Sequence, residues 1–156
     1  MTLKSNKAAL GAVAAAIAAA AGLYALLGDA GALTGADPGD RELVALGEGV
    51  YQDNCAGCHG AGLQGQPGWR TRNADGTLKA PPHDETGHTW HHPDQMLFDY
   101  TKLGGQAVVG PDFKSAMPGF QGTLDDREVW AVLAFIKSRW PPPARERQRL
   151  IDERSR

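Results

Sequence analysis

The 156-residue chain has only two cysteines, and two residues separate them in Cys55-Ala56-Gly57-Cys58. Two thiols at this spacing are compatible with a disulfide, a redox-active dithiol or half of a zinc site. A zinc site needs a second pair of ligands, which His83, His88, His91 and His92 offer only loosely. The residue after the second thiol is His59, and Cys-x-x-Cys-His is the pattern by which a c-type haem is attached. The two thiols add to the two vinyl groups, and the imidazole reaches the iron from the same side. Cys55 and Cys58 are therefore expected to hold one covalent haem c, with His59 as a metal ligand.

A second axial ligand must come from elsewhere, and the chain has three methionines. Met1 is excluded by position. Met96 falls at helical spacing with Leu97 and Tyr100 and reads as core. Met117 lies in the loop Met117-Pro118-Gly119-Phe120, where the proline biases the backbone towards an extended form. Such a loop can aim a thioether at iron, and a His/Met pair raises the reduction potential relative to other axial sets. Met117 is the expected second metal ligand. The four histidines His83, His88, His91 and His92 leave a rival open: they could bind copper or another metal, or replace Met117. Otherwise they cap a helix, bond the haem propionates or face solvent. Their spacing does not repeat a zinc-enzyme pattern such as His-Glu-x-x-His.

Helices must position these residues. The first should start at Asp40, a good N-cap, and run to about Asp53, with Leu43, Val44, Gly47, Val50 and Tyr51 on one apolar face. Residues 60–82 are rich in Gly, Pro and polar side chains and read as loop. A second helix begins near Pro93, with Met96, Leu97 and Tyr100 inward, and ends at Gly104-Gly105. Residues 104–121 read as loop. The last helix starts on a capping-box-like Thr123…Asp126, buries Val129, Trp130, Val132, Leu133, Ile136 and Trp140, and stops at Pro141-Pro142-Pro143. No strand pattern or internal repeat stands out. The fold class is all-α, with short helices and long loops. Loops this long are unusual in a small domain, and a large buried cofactor explains them because they can pack on it.

With the motif, the Met117 loop and the two terminal helices in view, residues 40–140 resemble a class I c-type cytochrome. The resemblance implies a small all-α fold wrapped round one haem. It also implies that a glycine and an aromatic on the first helix pack against an aromatic on the last; Gly47 and Tyr51 match the first pair, with Trp130 as their partner. In that family a proline carbonyl takes the haem histidine's N–H, and Pro67 matches it. By its place in the chain, Trp90 resembles the aromatic that donates to a haem propionate. Arg70 and Arg72 are expected either to pair with the propionates or to stand solvated in their loop. Residues 69–92 depart from mitochondrial-type members. The stretch 81–92, with its four histidines, looks like a segment of a bacterial subgroup of membrane-linked cytochromes.

Lys4 and Lys7 precede an uncharged run over residues 8–28. As a helix this run is about 31 Å long, enough to cross a hydrocarbon core of roughly 30 Å. It reads as a transmembrane anchor or a signal peptide, and both send the remainder across the membrane. The expected organisation is an anchor over 1–28, a linker over 29–39, the cytochrome domain over 40–140 and a charged tail over 141–156. The expected location is a bacterial inner membrane with the haem domain in the periplasm, or soluble in the periplasm if the N-terminus is cleaved. Overall charge is nearly balanced, at 16 basic against 18 acidic residues, which speaks against nucleic-acid binding. The central domain is mildly acidic and the tail mildly basic. The partners implied are redox proteins, donor and acceptor, and the membrane, with no small-molecule substrate. The expected role is one-electron transfer, not catalysis. The alternatives are a haem subunit of a larger oxidoreductase, or a gas- or peroxide-binding haem protein if Met117 does not ligate.

Overall fold

The computed structural model describes residues 35–156. The expected membrane run over 8–28 and most of the linker lie outside the described residues. Among the described residues no helix is long and apolar enough to cross a membrane.

Among the described residues six α-helices follow in order: α1 (Arg41–Asn54), α2 (Ala56–His59), α3 (Asp94–Leu103), α4 (Gly105–Val109), α5 (Asp126–Ser138) and α6 (Pro142–Arg154). A short 3₁₀ turn, Thr89–His91, precedes α3. Among the described residues the only strand-like pairing is an isolated bridge between Arg72 and Leu78. The all-α expectation holds.

α1 begins where its sequence says. The Asp40 carboxylate accepts from the free backbone N–H groups of Glu42 and Leu43, both at 3.0 Å. Its buried face is Leu43, Gly47, Val50 and Tyr51. That face packs on α5, which is buried continuously from Val129 to Lys137, as a helix apolar nearly all round must be. α5 starts differently from the expectation at Thr123. Its cap is Asp125, whose carboxylate accepts from Glu128 N at 2.8 Å while Glu128 accepts from Asp125 N at 2.9 Å.

The two helices cross at Gly47. A Cβ there would lie 1.9 Å from the Ala131 carbonyl oxygen, so only glycine fits. Tyr51 packs on Phe135, with ring centroids 5.3 Å apart, and not on Trp130. Phe135 is one turn beyond Ala131 and shares the face that meets α1. Trp130 is rotated off that face and stacks on Phe98 of α3 at 4.3 Å.

α3 turns Asp94, Phe98 and Thr101 inward, while Met96 is exposed, contrary to its reading as core. The stretch after α3 is not all loop, because α4 intervenes.

The charged tail over 141–156 folds as a helix that packs on the domain. Pro142 sits in the first turn of α6, where a missing N–H costs nothing. Ala144 and Gln148, four residues apart, face inward and are buried. Gln148 Nε2 donates to Asp94 Oδ1 at 2.6 Å, and the same carboxylate receives Lys137 Nζ at 2.7 Å on both oxygens. Asp152 accepts from Asp94 N at 2.9 Å. α6 is thus tied to α3 and α5 through a buried charge pair with its hydrogen bonds satisfied.

Candidate haem-binding site

Cys55 closes α1, and α2 makes the next turn, with His59 N donating to Cys55 O at 2.9 Å. Within one turn, residues three and four apart share a face. Cys55, Cys58 and His59 therefore present two thiols and an imidazole to one side. Both thiols are free, Cys55 half-buried and Cys58 exposed. Burial, reinforced by Cys58, pushes the Cys55 thiol up to about 11.

His59 is buried, and its Nδ1 donates to Pro81 O at 2.8 Å. Burial lowers its proton affinity in spite of that bond, so the ring is neutral near pH 7. A carbonyl can only accept, so the proton sits on Nδ1 and Nε2 keeps a lone pair for a metal.

The accepting carbonyl belongs to Pro81, not to Pro67. Residues 66–80 leave the domain and return, and their base is closed by two bonds: Gln66 N to Ala80 O and Ala80 N to Gln66 Oε1, each 2.9 Å. Pro67 lies exposed inside this excursion, its carbonyl receiving Lys79 Nζ at 3.3 Å. Pro81 is the first proline after the chain returns. Gly65, at φ +67°, lets the two sides meet, since a Cβ there would stand 2.5 Å from Pro82 N.

The histidine-rich stretch packs ring on ring. His83 stacks on His59 with centroids 4.0 Å apart. Trp69, carried by the excursion, stacks on His88 at 5.5 Å, and His88 meets His92 edge-on at 5.5 Å. Arg70 lies over Trp69 at 4.1 Å. Arg72 Nη1 donates to Gly76 O at 2.7 Å and helps close the turn within the excursion. Among the described residues no group of three or more His, Cys, Asp or Glu side chains could hold a metal ion, so the copper alternative finds no ligand set there.

Trp90 stacks on His91 at 3.8 Å, under the Arg147 guanidinium at 5.6 Å. Its Nε1–H is buried and has no acceptor among the described residues. An indole N–H can only donate, and leaving it buried and unpaired costs about 1–3 kcal/mol. An acceptor supplied by a bound group, such as a haem propionate, fits this atom.

Met117 comes from a separate loop seated on the end of α3. Phe120 N donates to Thr101 O at 3.1 Å and Gln121 N to Lys102 O at 2.9 Å, satisfying carbonyls that α3 leaves free. Gly119 allows the contact, since a Cβ there would stand 2.6 Å from the Leu103 carbonyl. Met117 is half-buried, and its N donates to Ser115 Oγ at 3.1 Å. The site residues thus fall into three groups: Cys55, Cys58 and His59 with Pro81 and His83; Trp90 on the 3₁₀ turn; and Met117 on its own loop. Sequence reasoning missed the Pro81 carbonyl, and it named His83 only as a possible metal ligand or propionate partner, not as the ring stacked on His59. Their signal was the Pro81-Pro82-His83 run directly after the excursion.

The comparisons with known proteins point to one family. The family model described as Cytochrome c matches residues 44–140. Among curated proteins, the chain is 28% identical over 111 residues to the Cbb3-type cytochrome c oxidase subunit FixP of Bradyrhizobium sp. (strain ORS 278), covering 69% of this chain and 35% of that protein. It is 30% identical over 102 residues to FixP of Rhizobium etli, covering 65% of this chain and 32% of that one. It is also 30% identical over 93 residues to Cytochrome c6 of Tetradesmus obliquus, covering 60% of this chain and 86% of that protein. The chain thus spans about a third of the length of the two FixP relatives. No solved structure matches. With a family match that runs from α1 to the end of α5 and includes the Cys55–His59 motif, the chain belongs to the cytochrome c family, as a class I member with one covalent haem c.

Proposed function

We propose that this protein is a one-electron carrier whose haem is held by Cys55 and Cys58, with His59 and Met117 as axial ligands of the iron. The observation that carries the reading is the His59–Pro81 bond of 2.8 Å, which fixes the tautomer that can ligate through Nε2. The bound haem supplies a reversible one-electron couple. The chain orients the imidazole, offers the Trp90 N–H and Arg70 towards the propionates, and brings a neutral thioether on the Met117 loop.

In this reading the domain is held at the periplasmic face of a bacterial inner membrane by residues 1–28. It takes electrons from a quinol-oxidising complex or a dehydrogenase and passes them to a terminal oxidase or another acceptor. Exchange runs through the haem edge beside Cys55 and Cys58. Transient redox contacts are small, so such a docking contact needs only a small patch around that edge. A second reading, as a fixed haem subunit of a larger oxidoreductase, is favoured by the two relatives named as subunits of a cbb3-type oxidase.

Voltammetry of the purified holoprotein tests the carrier reading. A reversible one-electron wave that carbon monoxide leaves unchanged is expected. A wave shifted by carbon monoxide, with rapid binding to the reduced protein, would instead mark a gas-binding site. Gentle solubilisation of membranes separates the second reading, since a fixed subunit co-purifies with its complex in constant ratio.

A further inference from the structure

We propose that His83 is a positioning residue for the haem's axial imidazole, setting the rotation of the His59 ring about its bond to the iron. The inference rests on the reading of His59 as an axial ligand. The Pro81 carbonyl holds one corner of that ring, at Nδ1, 2.8 Å away. A single hydrogen bond leaves the ring free to pivot. The His83 ring covers its face at 4.0 Å, with 23° between the planes, and removes that freedom.

His83 can do so because it is itself fixed at each end. Its backbone N–H donates to Leu63 O at 2.8 Å, and its carbonyl accepts from Trp140 Nε1 at 2.7 Å. Leu63 is the only non-glycine among the described residues with a left-handed backbone, at φ +68°. That conformation costs about 1–2 kcal/mol, and here it turns the Leu63 carbonyl to the His83 N–H. The His83 side chain is held too: Nδ1 is hydrogen-bonded to Thr89 Oγ1 at 2.8 Å, and Thr89 is buried. Tyr51 stands edge-on to the ring, with centroids 6.5 Å apart.

An aliphatic side chain would fill the same space but would have no atom to bond Thr89, so nothing would fix its last torsion. A flat ring with one hydrogen-bonding nitrogen meets both needs. The same bond ties the His59 cage to the 3₁₀ turn Thr89–His91, which carries Trp90. Two elements that approach the haem from different parts of the chain thereby keep a fixed mutual position.

The plane of an axial imidazole sets the unpaired-spin distribution over the haem, and so the order of the four haem-methyl proton resonances in the oxidised protein. Proton NMR of the oxidised holoprotein reads this order directly in three variants. His83→Leu removes the flat ring and the Thr89 bond, and should reorder the methyl resonances and compress their spread. His83→Phe restores the flat face and should return the order towards that of the natural protein. Thr89→Val removes only the bond to Nδ1 and should shift the methyls in the same sense as His83→Leu, by less. Should His83→Leu fail to take up haem, Thr89→Val carries the test. Methyl resonances unchanged in every variant that matures would overturn the inference. A natural protein with no low-spin, histidine-ligated spectrum would instead overturn the reading of the site itself.

Discussion

Gly47 of α1 approaches Ala131 of α5 so closely that a Cβ on Gly47 would stand 1.9 Å from the Ala131 carbonyl oxygen and 3.0 Å from Phe135 Cβ. The obstacle is backbone and cannot swing aside. α1 ends directly before Cys55, so the crossing sets where the first thiol lies.

Gly47→Ala must push the helices apart. Overpacking of this kind costs about 1–3 kcal/mol, and backbone contact places this variant at the upper end. A lower denaturant midpoint is expected, together with a smaller haem-loaded fraction in the purified protein. A midpoint equal to that of the natural protein would show that the crossing is looser than described.

The Lys137–Asp94 pair is buried and paired at 2.7 Å, so removing one partner leaves the other charge stranded. Lys137→Met is expected to lower unfolding stability by about 3–5 kcal/mol. Hydrogen exchange should locate the loss in α6 and in the start of α3, because Asp94 also holds Gln148 and its N–H is held by Asp152. Replacing the surface pair partner Arg139, half exposed beside Glu48, should change stability by under about 1 kcal/mol.

Besides His59, three further histidines make stability depend on pH. Burial lowers the proton affinity of His83, His88 and His92 below the ordinary imidazole value of 6.5. The unfolded chain therefore takes up protons below 6.5 that the folded chain refuses. Their contribution to stability is complete above 6.5 and is lost as the pH falls through the lowered values. Urea midpoints measured from pH 7.5 down to 5 should decline, and His88→Gln with His92→Gln should flatten the decline. A midpoint that rises on acidification would contradict this.

In the haem-free protein the two thiols should differ. Cys58 is exposed, whereas the half-buried Cys55 thiol is pushed up to about 11. Since the thiolate is the reacting form, alkylation at pH 8 followed by mass spectrometry should label Cys58 first. Labelling of Cys55 should keep rising as the pH approaches 11.

Much of this was legible beforehand. The Cys55–His59 motif needs only local spacing, and the buried faces of α1 and α5 follow from helical periodicity. What the sequence hid was mostly choice among similar candidates. Pro67 and Pro81 both follow His59, and only the closure of residues 66–80 by Gln66 and Ala80 decides which carbonyl returns to the ring. Trp130 and Phe135 are both large aromatics on α5, and the choice depends on which face Gly47 touches. Asp125-x-x-Glu128 was a capping box in plain view beside the weaker Thr123. α6 was hidden because its charged surface outweighs the two side chains, Ala144 and Gln148, that face inward.

We propose a six-coordinate iron that His59 and Met117 would hold. The near-infrared spectrum of the oxidised holoprotein, measured beside that of Met117→Ala, tests it most directly. The methionine–iron charge-transfer band is expected in the natural protein and absent from the variant. A high-spin spectrum without that band in the natural protein, or a band that survives the substitution, would contradict it.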